Sequence, residues 1–383
     1  MDGVVRPGSE EELAEAIAGA AAPFEIIGGG TKRGLGRPVQ AARTLDLSAF
    51  DALHIYEPEE LIFEAGAGFR LAEAERLVEA KGQQFAFEPP DYSRLLGGAS
   101  SGTLGGLLAS NLAGPRRLKA GSCRDHVLGF RGVSGRGEIF KCGARVVKNV
   151  TGYDLPKLMA GSFGTLAALT SITFKVLPRP ETEETVVLGG LDDGQAVAAM
   201  SLAMQSSCEV SGAAHVPGEG TYLRLEGIAP SVVYRRDALA KALGRPIQLL
   251  AASGSRAKWA AIRDATRFAD APERPVWRLS VTPSEAPAAI ARIRANIDAR
   301  YYFDWAGGLV WLDVPPTDDA AAGPIRQALR GGHATLIRAP DAVRAVVDVF
   351  QPQPAALAAL SARVKEAFDP RHHFNPGRMY RGV

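Results

Sequence analysis

The stretch "FEIIGGGTKRGLGRP", residues 24–38, sets three consecutive glycines directly behind an apolar run, followed by a hydroxyl, two cations and two more glycines. Residues 24–27 read as a short strand, which places the glycines at its C-terminal end. Two common phosphate loops are excluded by spacing. A P-loop closes on Gly-Lys-Ser/Thr, whereas here Lys32 follows Thr31. A dinucleotide G-x-G-x-x-G read from Gly28 needs glycine at position 33, which is Arg33. What remains is GGGT with a neighbouring cation: bare amides able to converge on a pyrophosphate, a hydroxyl donor and a charge. Taken alone, the same run reads equally as a tight turn, because glycine tolerates so many backbone conformations.

A second glycine cluster tips that balance. "SGTLGGLLASNLAG" (101–114) offers more amides without side chains, together with Thr103, Ser110 and Asn111 as small polar groups. A bulky planar ligand carrying a diphosphate needs this mixture of close backbone approach and few obstructing side chains. Pro89-Pro90 fixes a rigid turn between the two clusters, or is simply a loop between helix and strand.

The bulk properties narrow the class. A chain of 383 residues can build two domains, each with its own core. With 44 cations against 42 anions the formal charge is +2, which excludes a broad nucleic-acid or membrane-surface field. Three cysteines (Cys123, Cys142 and Cys208) form no CxxC pair and no metal-ligand spacing, which predicts reduced thiols, an intracellular protein and no iron–sulfur cluster or other metal in this chain. The start, "MDGVVRPGSEEELAEAI", turns acidic where a signal peptide turns apolar, and no apolar run is long enough to span a bilayer.

Along the chain, Ser9 with Glu12 predicts a capping box before a helix with its apolar stripe at Leu13, Ala16 and Ile17. "TLDLSAF" and "LIFEAGAG" predict strands, and "RLAEAERLVEAKG" an amphipathic helix capped at Gly82. "RDHVLGFRGVSGRGEIF" predicts a hairpin turning at 134–137. "VLPRPETEET" (176–185) marks a domain boundary. Beyond it, alanine-rich helical stretches (238–243, 256–269 and 285–298) alternate with strands such as "TYLRLEGI", "VWRLSVTP" and "GGLVWLDV", predicting a sheet packed with helices. Residues 353–380 predict an amphipathic helix that stops before Pro370, and then a turn at Asn375-Pro376-Gly377.

The order GGGTK, EPPD, SGTLGGLLASN with AGP, RDHVLG, KNVTGYDLPKLMAGSFGTLAALTSITFKVLP and FNPGR resembles the vanillyl-alcohol-oxidase or PCMH-type flavoproteins. Within them it is most similar to the FAD-binding (E) subunits of bacterial glycolate oxidases. The stretches 152–166 and 331–340 carry the most specific part of the likeness, which covers essentially the whole chain. The resemblance implies an α+β fold: a PCMH-type two-subdomain FAD-binding domain over 1–178, an α+β cap domain over 179–350, and a segment 351–383 returning to the first domain. It implies that Gly28, Gly29, Gly30, Thr31 and Lys32 wrap the FAD pyrophosphate, and that Gly102, Thr103, Gly105 and Gly106 continue the cradle. Pro89 and Pro90 would border the flavin or its ribityl chain, with Ser110 and Asn111 near the ring. Asp125, Val127, Gly161, Gly164, Thr165 and Ile172 would lie by the adenosine half, and Asn375 at the flavin edge.

The implied role is FAD-binding subunit of a glycolate (2-hydroxy-acid) dehydrogenase, with a catalytic flavoprotein subunit and an iron–sulfur subunit as partners. Such a chain would be cytoplasmic and reach the inner membrane only through partners. A structural flavin-binding subunit and a stand-alone FAD-dependent alcohol or hydroxy-acid oxidase remain alternatives. Two departures matter. Thr31 stands where many relatives carry a flavin-linking histidine, which implies non-covalent FAD. The segment "YFDWAGGLVWLDV" (302–314) holds no histidine where catalytic subunits carry H-x-G-D-G-N-x-H, so no catalytic base is assigned. His126 reads as a cofactor contact or a core histidine, His333 as a hairpin contact, and His372-His373 as a tail loop. Arg116, Arg117 and Lys119 read as a solvated basic loop, a carboxylate-steering cluster or a partner-facing patch.

Overall fold

The computed structural model describes residues 3–98, 100–143 and 153–382. The resemblance drawn from 148–152 lies outside the described residues. Among the described residues the strands form four sheets.

The first sheet is parallel, with Arg43–Asp46 between Val4–Val5 and Phe24–Ile27. The helix Glu10–Ala18 buries Leu13 and Ile17 against it, in a core shared with Phe24, Leu45 and Phe374. Ser9 caps this helix by accepting the Glu12 N–H at 3.2 Å. The Glu12 carboxylate reaches the Gly8 N–H rather than that of Ser9, so the expected box closes one residue early.

The second sheet is antiparallel and runs Leu53–Glu57, Ile62–Gly66, Ala167–Lys175, Val127–Ser134 and Ile139–Gly143. Its last pair is the hairpin predicted around 134–137. The helix Leu71–Glu79 ends a turn before Gly82, which takes a left-handed φ of +66° as the chain turns into Gln83–Gln84. That short strand pairs with Leu177–Pro178 in the third sheet.

The fourth sheet has eight antiparallel strands in the order Gln248–Leu250, Thr182–Leu188, Gly220–Gly227, Gly212–Val216, Arg300–Asp304, Leu309–Asp313, Val276–Ser280 and His333–Arg338. Apart from the exposed edge strand Gln248–Leu250, its strands are largely buried, with side chains alternating between two cores as a period of two requires. Val186, Leu188, Leu223, Phe303 and Leu312 enter a core shared with residues of the helices Asp193–Gln205, Ala229–Leu243 and Ala286–Arg294. Val187, Tyr222, Tyr302 and Trp311 point the other way, into one core with Phe63, Phe87, Leu107 and Phe174 of the N-terminal half. The two halves are thus joined by packed apolar side chains.

The helix Ala355–Phe368 ends before Pro370, as expected; Val364 and Phe368 pack on the core, Leu357 and Leu360 stay exposed, and its fully buried anchor is Lys365.

Candidate functional site

The strand Phe24–Ile27 ends where its neighbour turns away, with Leu47 N–H bonding Ile27 O at 2.8 Å. From Gly28 to Lys32, none of the backbone amides donates to a described residue. Five unspent N–H groups in one loop form an anion-binding concavity of the kind successive amides make. Facing them is the helix Leu104–Ser110, whose N-cap Thr103 accepts the Gly106 N–H through Oγ1 at 3.3 Å. The approach is tight enough to demand glycine at two positions. A Cβ on Gly28 would stand 2.7 Å from Thr103 Oγ1. On Gly102, whose φ is +96°, it would stand 2.5 Å from Thr31 Oγ1 and 2.8 Å from Lys32 Nζ.

Between these segments lies a cavity of about 100 Å³ lined by Gly28, Gly29, Gly30, Thr31, Lys32, Thr103, Gly105, Gly106, Ser110, Gly164 and Asn375. Gly102 borders it through Thr31. The other expected residues frame the site at greater remove. Asn111 accepts the Arg124 N–H and packs against Gly161. Asp125 accepts the Ser122 N–H at 2.8 Å and its hydroxyl at 2.9 Å. Thr165 bonds Ser162 O, and Val127 and Ile172 are buried within the antiparallel sheet. Pro89 lines a different cavity, and Pro90 is buried beside it. His126 is a core residue, its Nε2 at 2.7 Å from Ala120 O and its ring against Phe87.

The C-terminal segment completes the loop. Asn375 Oδ1 accepts the Ile26 N–H at 2.8 Å, and its Nδ2 donates to Phe163 O at 2.8 Å, tying the strand before the triple glycine to the loop at 163. Arg378 donates to Lys32 O at 2.7 Å. The segment is anchored by Lys365, fully buried, whose Nζ donates to Asp369 Oδ2 and Thr165 O at 2.7 Å and to Phe374 O at 2.9 Å. Burial pushes the Lys32 ammonium down to about 8, with Asp91 and Cys123 opposing. Lys32 therefore sits in an apolar setting with one carbonyl acceptor, Ser101 O at 3.1 Å.

Comparison with known proteins places the chain in a family. An FAD-binding-domain family model matches residues 1–143. The glycolate oxidase subunit GlcE of Escherichia coli is 34% identical over 370 residues, covering 97% of this chain and 96% of that protein. The chain belongs to the PCMH-type FAD-binding oxidoreductases. The glycolate oxidase subunit GlcD of Bacillus subtilis is 32% identical over 190 residues, 49% of this chain and 39% of that protein. The fold agrees: p-cresol methylhydroxylase, at 14% identity, superposes with a TM-score of 0.74 over 99% of this chain and 88% of that one. This flavoprotein is thus α+β, an FAD-binding fold with a cap, and its cofactor is FAD.

The residues present fit that cofactor. The free amides, the Lys32 ammonium and the glycine contacts that a Cβ would fill all suit a pyrophosphate. A space of about 100 Å³ is below the roughly 300–1,000 Å³ of a whole ligand pocket, and is of a size for part of the cofactor only.

Two features of the cap escaped sequence reasoning. Trp305 donates its Nε1–H to Gly114 O at 3.1 Å, and its ring carries the guanidiniums of Arg117 at 4.5 Å and Arg278 at 4.9 Å. Neither arginine makes a salt bridge to a described residue, and their mutual repulsion adds to burial in lowering Arg117. Trp305 and Ala306 both take left-handed φ values, +50° and +53°, a strained turn that holds the ring in place. Beside it, burial raises the carboxyl of Asp304 to about 7. The expected basic cluster therefore divides: Lys119 is an exposed partner of Glu209, Arg117 faces Trp305, and Arg116 is withdrawn.

Arg116 belongs to the second feature, a buried ion network. Glu88 receives both terminal nitrogens of Arg224, at 2.8 and 2.9 Å, and the Arg116 N–H at 2.6 Å. Arg116 in turn reaches Glu226 at 2.5 Å. Burial alone would raise Glu88, but Arg224 and Arg116 hold it down to about 2. Glu88 and Arg116 come from the FAD-binding part and Arg224 and Glu226 from the cap, so the network crosses between them. A sequence signal existed only in part: Arg224 and Glu226 flank Leu225 on one strand, but their partners are over a hundred residues away.

Proposed function

We propose that this chain is the FAD-binding subunit of a glycolate (2-hydroxy-acid) oxidase complex, with 1–178 as its FAD domain, 179–350 as its cap and 351–383 rejoining the FAD domain. The observation that carries this reading is the match to GlcE along nearly the whole of both chains. A partner flavoprotein subunit would oxidise glycolate to glyoxylate, and an iron–sulfur subunit would take the electrons onward. The complex would work in the cytoplasm; among the described residues no helix is long and apolar enough to cross a membrane, so attachment there would come through partners.

When bound, FAD supplies a two-electron acceptor. The amides of 28–32 and the Lys32 ammonium hold its pyrophosphate. Gly102, Thr103, Gly105 and Gly106 keep the backbone close, and Asn375 joins the strand Phe24–Ile27 to the loop at Phe163. Attachment would be non-covalent, since Thr31 stands where many relatives carry a flavin-linking histidine.

One observation favours a second reading, in which this chain also seats a hydroxy acid. Arg117 and Arg278 present two unpaired guanidiniums on one ring, a seat for a carboxylate. Asp304, titrating near neutrality, suits proton removal.

The test mixes glycolate anaerobically with the flavin-loaded isolated chain, then with the chain plus partner subunits. The first reading expects bleaching only with the partners. Bleaching of the isolated chain that is lost in Arg278→Met establishes the second. A colourless protein that takes up no FAD overturns both.

A further inference from the structure

The helix Asp341–Val346 follows the strand His333–Arg338 at the edge of the large sheet. So short a helix does not persist on its own backbone bonds. Asp341, Ala342, Ala345 and Val346 are exposed, and its one buried side chain is Arg344. What fastens it comes from elsewhere in the chain. Arg344 is 4% exposed, and its Nη1 donates to Gly36 O at 2.5 Å. Arg37 answers in the opposite direction, its Nη1 donating to Val347 O at 3.0 Å and its Nη2 to Ala345 O. Arg381 donates to Val346 O at 2.8 Å. The carbonyls at the end of the helix, which no further turn would satisfy, are thus taken by guanidiniums.

Gly36 and Arg37 close the same loop whose first half, Gly28 to Lys32, forms the FAD cradle. The two halves are joined through Lys32 O, which accepts the Leu35 N–H at 3.0 Å and Arg378 Nη2 at 2.7 Å. Leu35 is buried in the main core, and the Arg37 N–H donates to Arg378 O at 2.8 Å. A shift of the cradle therefore carries Gly36 and Arg37 with it.

Charge couples the same groups. Glu25 serves both Arg33 and Arg378, Asp341 serves Arg344, and Lys32 has no ion-pair partner among the described residues, so positive charge is in excess. Burial lowers Arg378 to about 10, with Glu25 opposing and Arg344 and Arg33 reinforcing. A diphosphate brings the negative charge that this group lacks.

We propose that the helix Asp341–Val346 reports the occupancy of the FAD cradle: a diphosphate on the amides of 28–32 steadies the loop, Gly36 and Arg37 steady the helix in turn, and the surface around Val346 is held firmly only in the loaded protein. The proposal rests on the cradle holding FAD and stands apart from the glycolate reading. Such a link is reciprocal, so any contact that steadies this helix from outside also tightens FAD.

Hydrogen exchange of the full chain, read by mass spectrometry with and without saturating FAD, tests this. Peptides spanning 341–349 should exchange about tenfold more slowly when FAD is bound, although none of their residues lines the cradle cavity. In Arg37→Met, which cuts the connection, peptides spanning 24–33 should still respond to FAD and those spanning 341–349 should lose most of their response. In Arg381→Met, which loosens the helix without touching the loop, the response of 341–349 should persist. The link is overturned if 341–349 exchange at one rate with and without FAD while 24–33 slow, or if Arg37→Met responds as the parent does. Should Arg37→Met fold poorly, the parent comparison decides alone. Absence of any response at 24–33 in a protein whose absorbance shows bound flavin overturns the cradle assignment together with the link.

Discussion

Asn375 and Ile26 are joined by a 2.8 Å hydrogen bond across 349 residues of sequence, the Asn375 Oδ1 accepting the last free amide before the triple glycine. The same side chain donates to Phe163 O, so one amide group fixes the spacing of two loops that share a cavity. Replacing it by alanine leaves a backbone donor and a backbone acceptor without partners. Asn375→Ala should cost about 1–3 kcal/mol of stability. FAD titration should show weaker binding, and urea unfolding should show a lower midpoint.

Gly28→Ala isolates the steric demand of the cradle. The added methyl would meet Thr103 Oγ1 at 2.7 Å, displacing either the loop or the helix cap. FAD affinity should drop by about two orders of magnitude, a loss of roughly 2.7 kcal/mol. Far-ultraviolet circular dichroism should remain that of the parent, which places the loss in the loop.

Lys32 makes FAD binding depend on pH. Burial holds its ammonium at about 8 in the empty protein, against an ordinary value of 10.5. The unfolded chain therefore keeps a proton that the folded chain loses between these values, and apo stability rises with pH through that window. Binding runs the opposite way, because the pyrophosphate stabilises the charged amine. Affinity should weaken above pH 8, by up to about tenfold per pH unit, and this dependence should vanish in Lys32→Met. Fluorescence titrations at a series of pH values check both statements.

The Glu88 carboxylate links the cap to the FAD-binding part through Arg224 and Arg116. Its folded value, about 2, lies below the ordinary 4.5, so its contribution is complete above pH 4.5 and is lost as pH falls toward 2. Glu88→Gln leaves two buried guanidiniums short of countercharge and should destabilise by about 3–5 kcal/mol. The variant should also lose part of the acid-induced decline in melting temperature that the parent shows below pH 4.5.

Local features were legible in the sequence because their causes are local. The GGGT loop, the Ser9 cap and the hairpin at 134–137 depend on neighbours a few positions away. The long-range partners were not legible. Arg278 sits in an ordinary strand pattern, "VWRLS", and only its position over Trp305 distinguishes it from a surface arginine. Arg116 and Arg117 are adjacent yet have opposite fates, one buried in an ion network and one on an aromatic face, because a loop points successive side chains in unrelated directions. The tail helix was legible as an element, but its anchor was not: Lys365 is held by carbonyl acceptors from Thr165 and Phe374.

The alternation of Val186, Val187 and Leu188 between two cores has a consequence for dissection of the chain. A fragment stopping near residue 178 would leave Phe63, Phe87 and Phe174 beside the open seam of the missing sheet, an adhesive face in water. Melting should accordingly be a single endotherm, and neither half should survive as a tidy exchangeable module. Swapping caps between relatives would succeed only if the odd-numbered side chains of that strand travelled with their counterparts, as a lock is moved with its key.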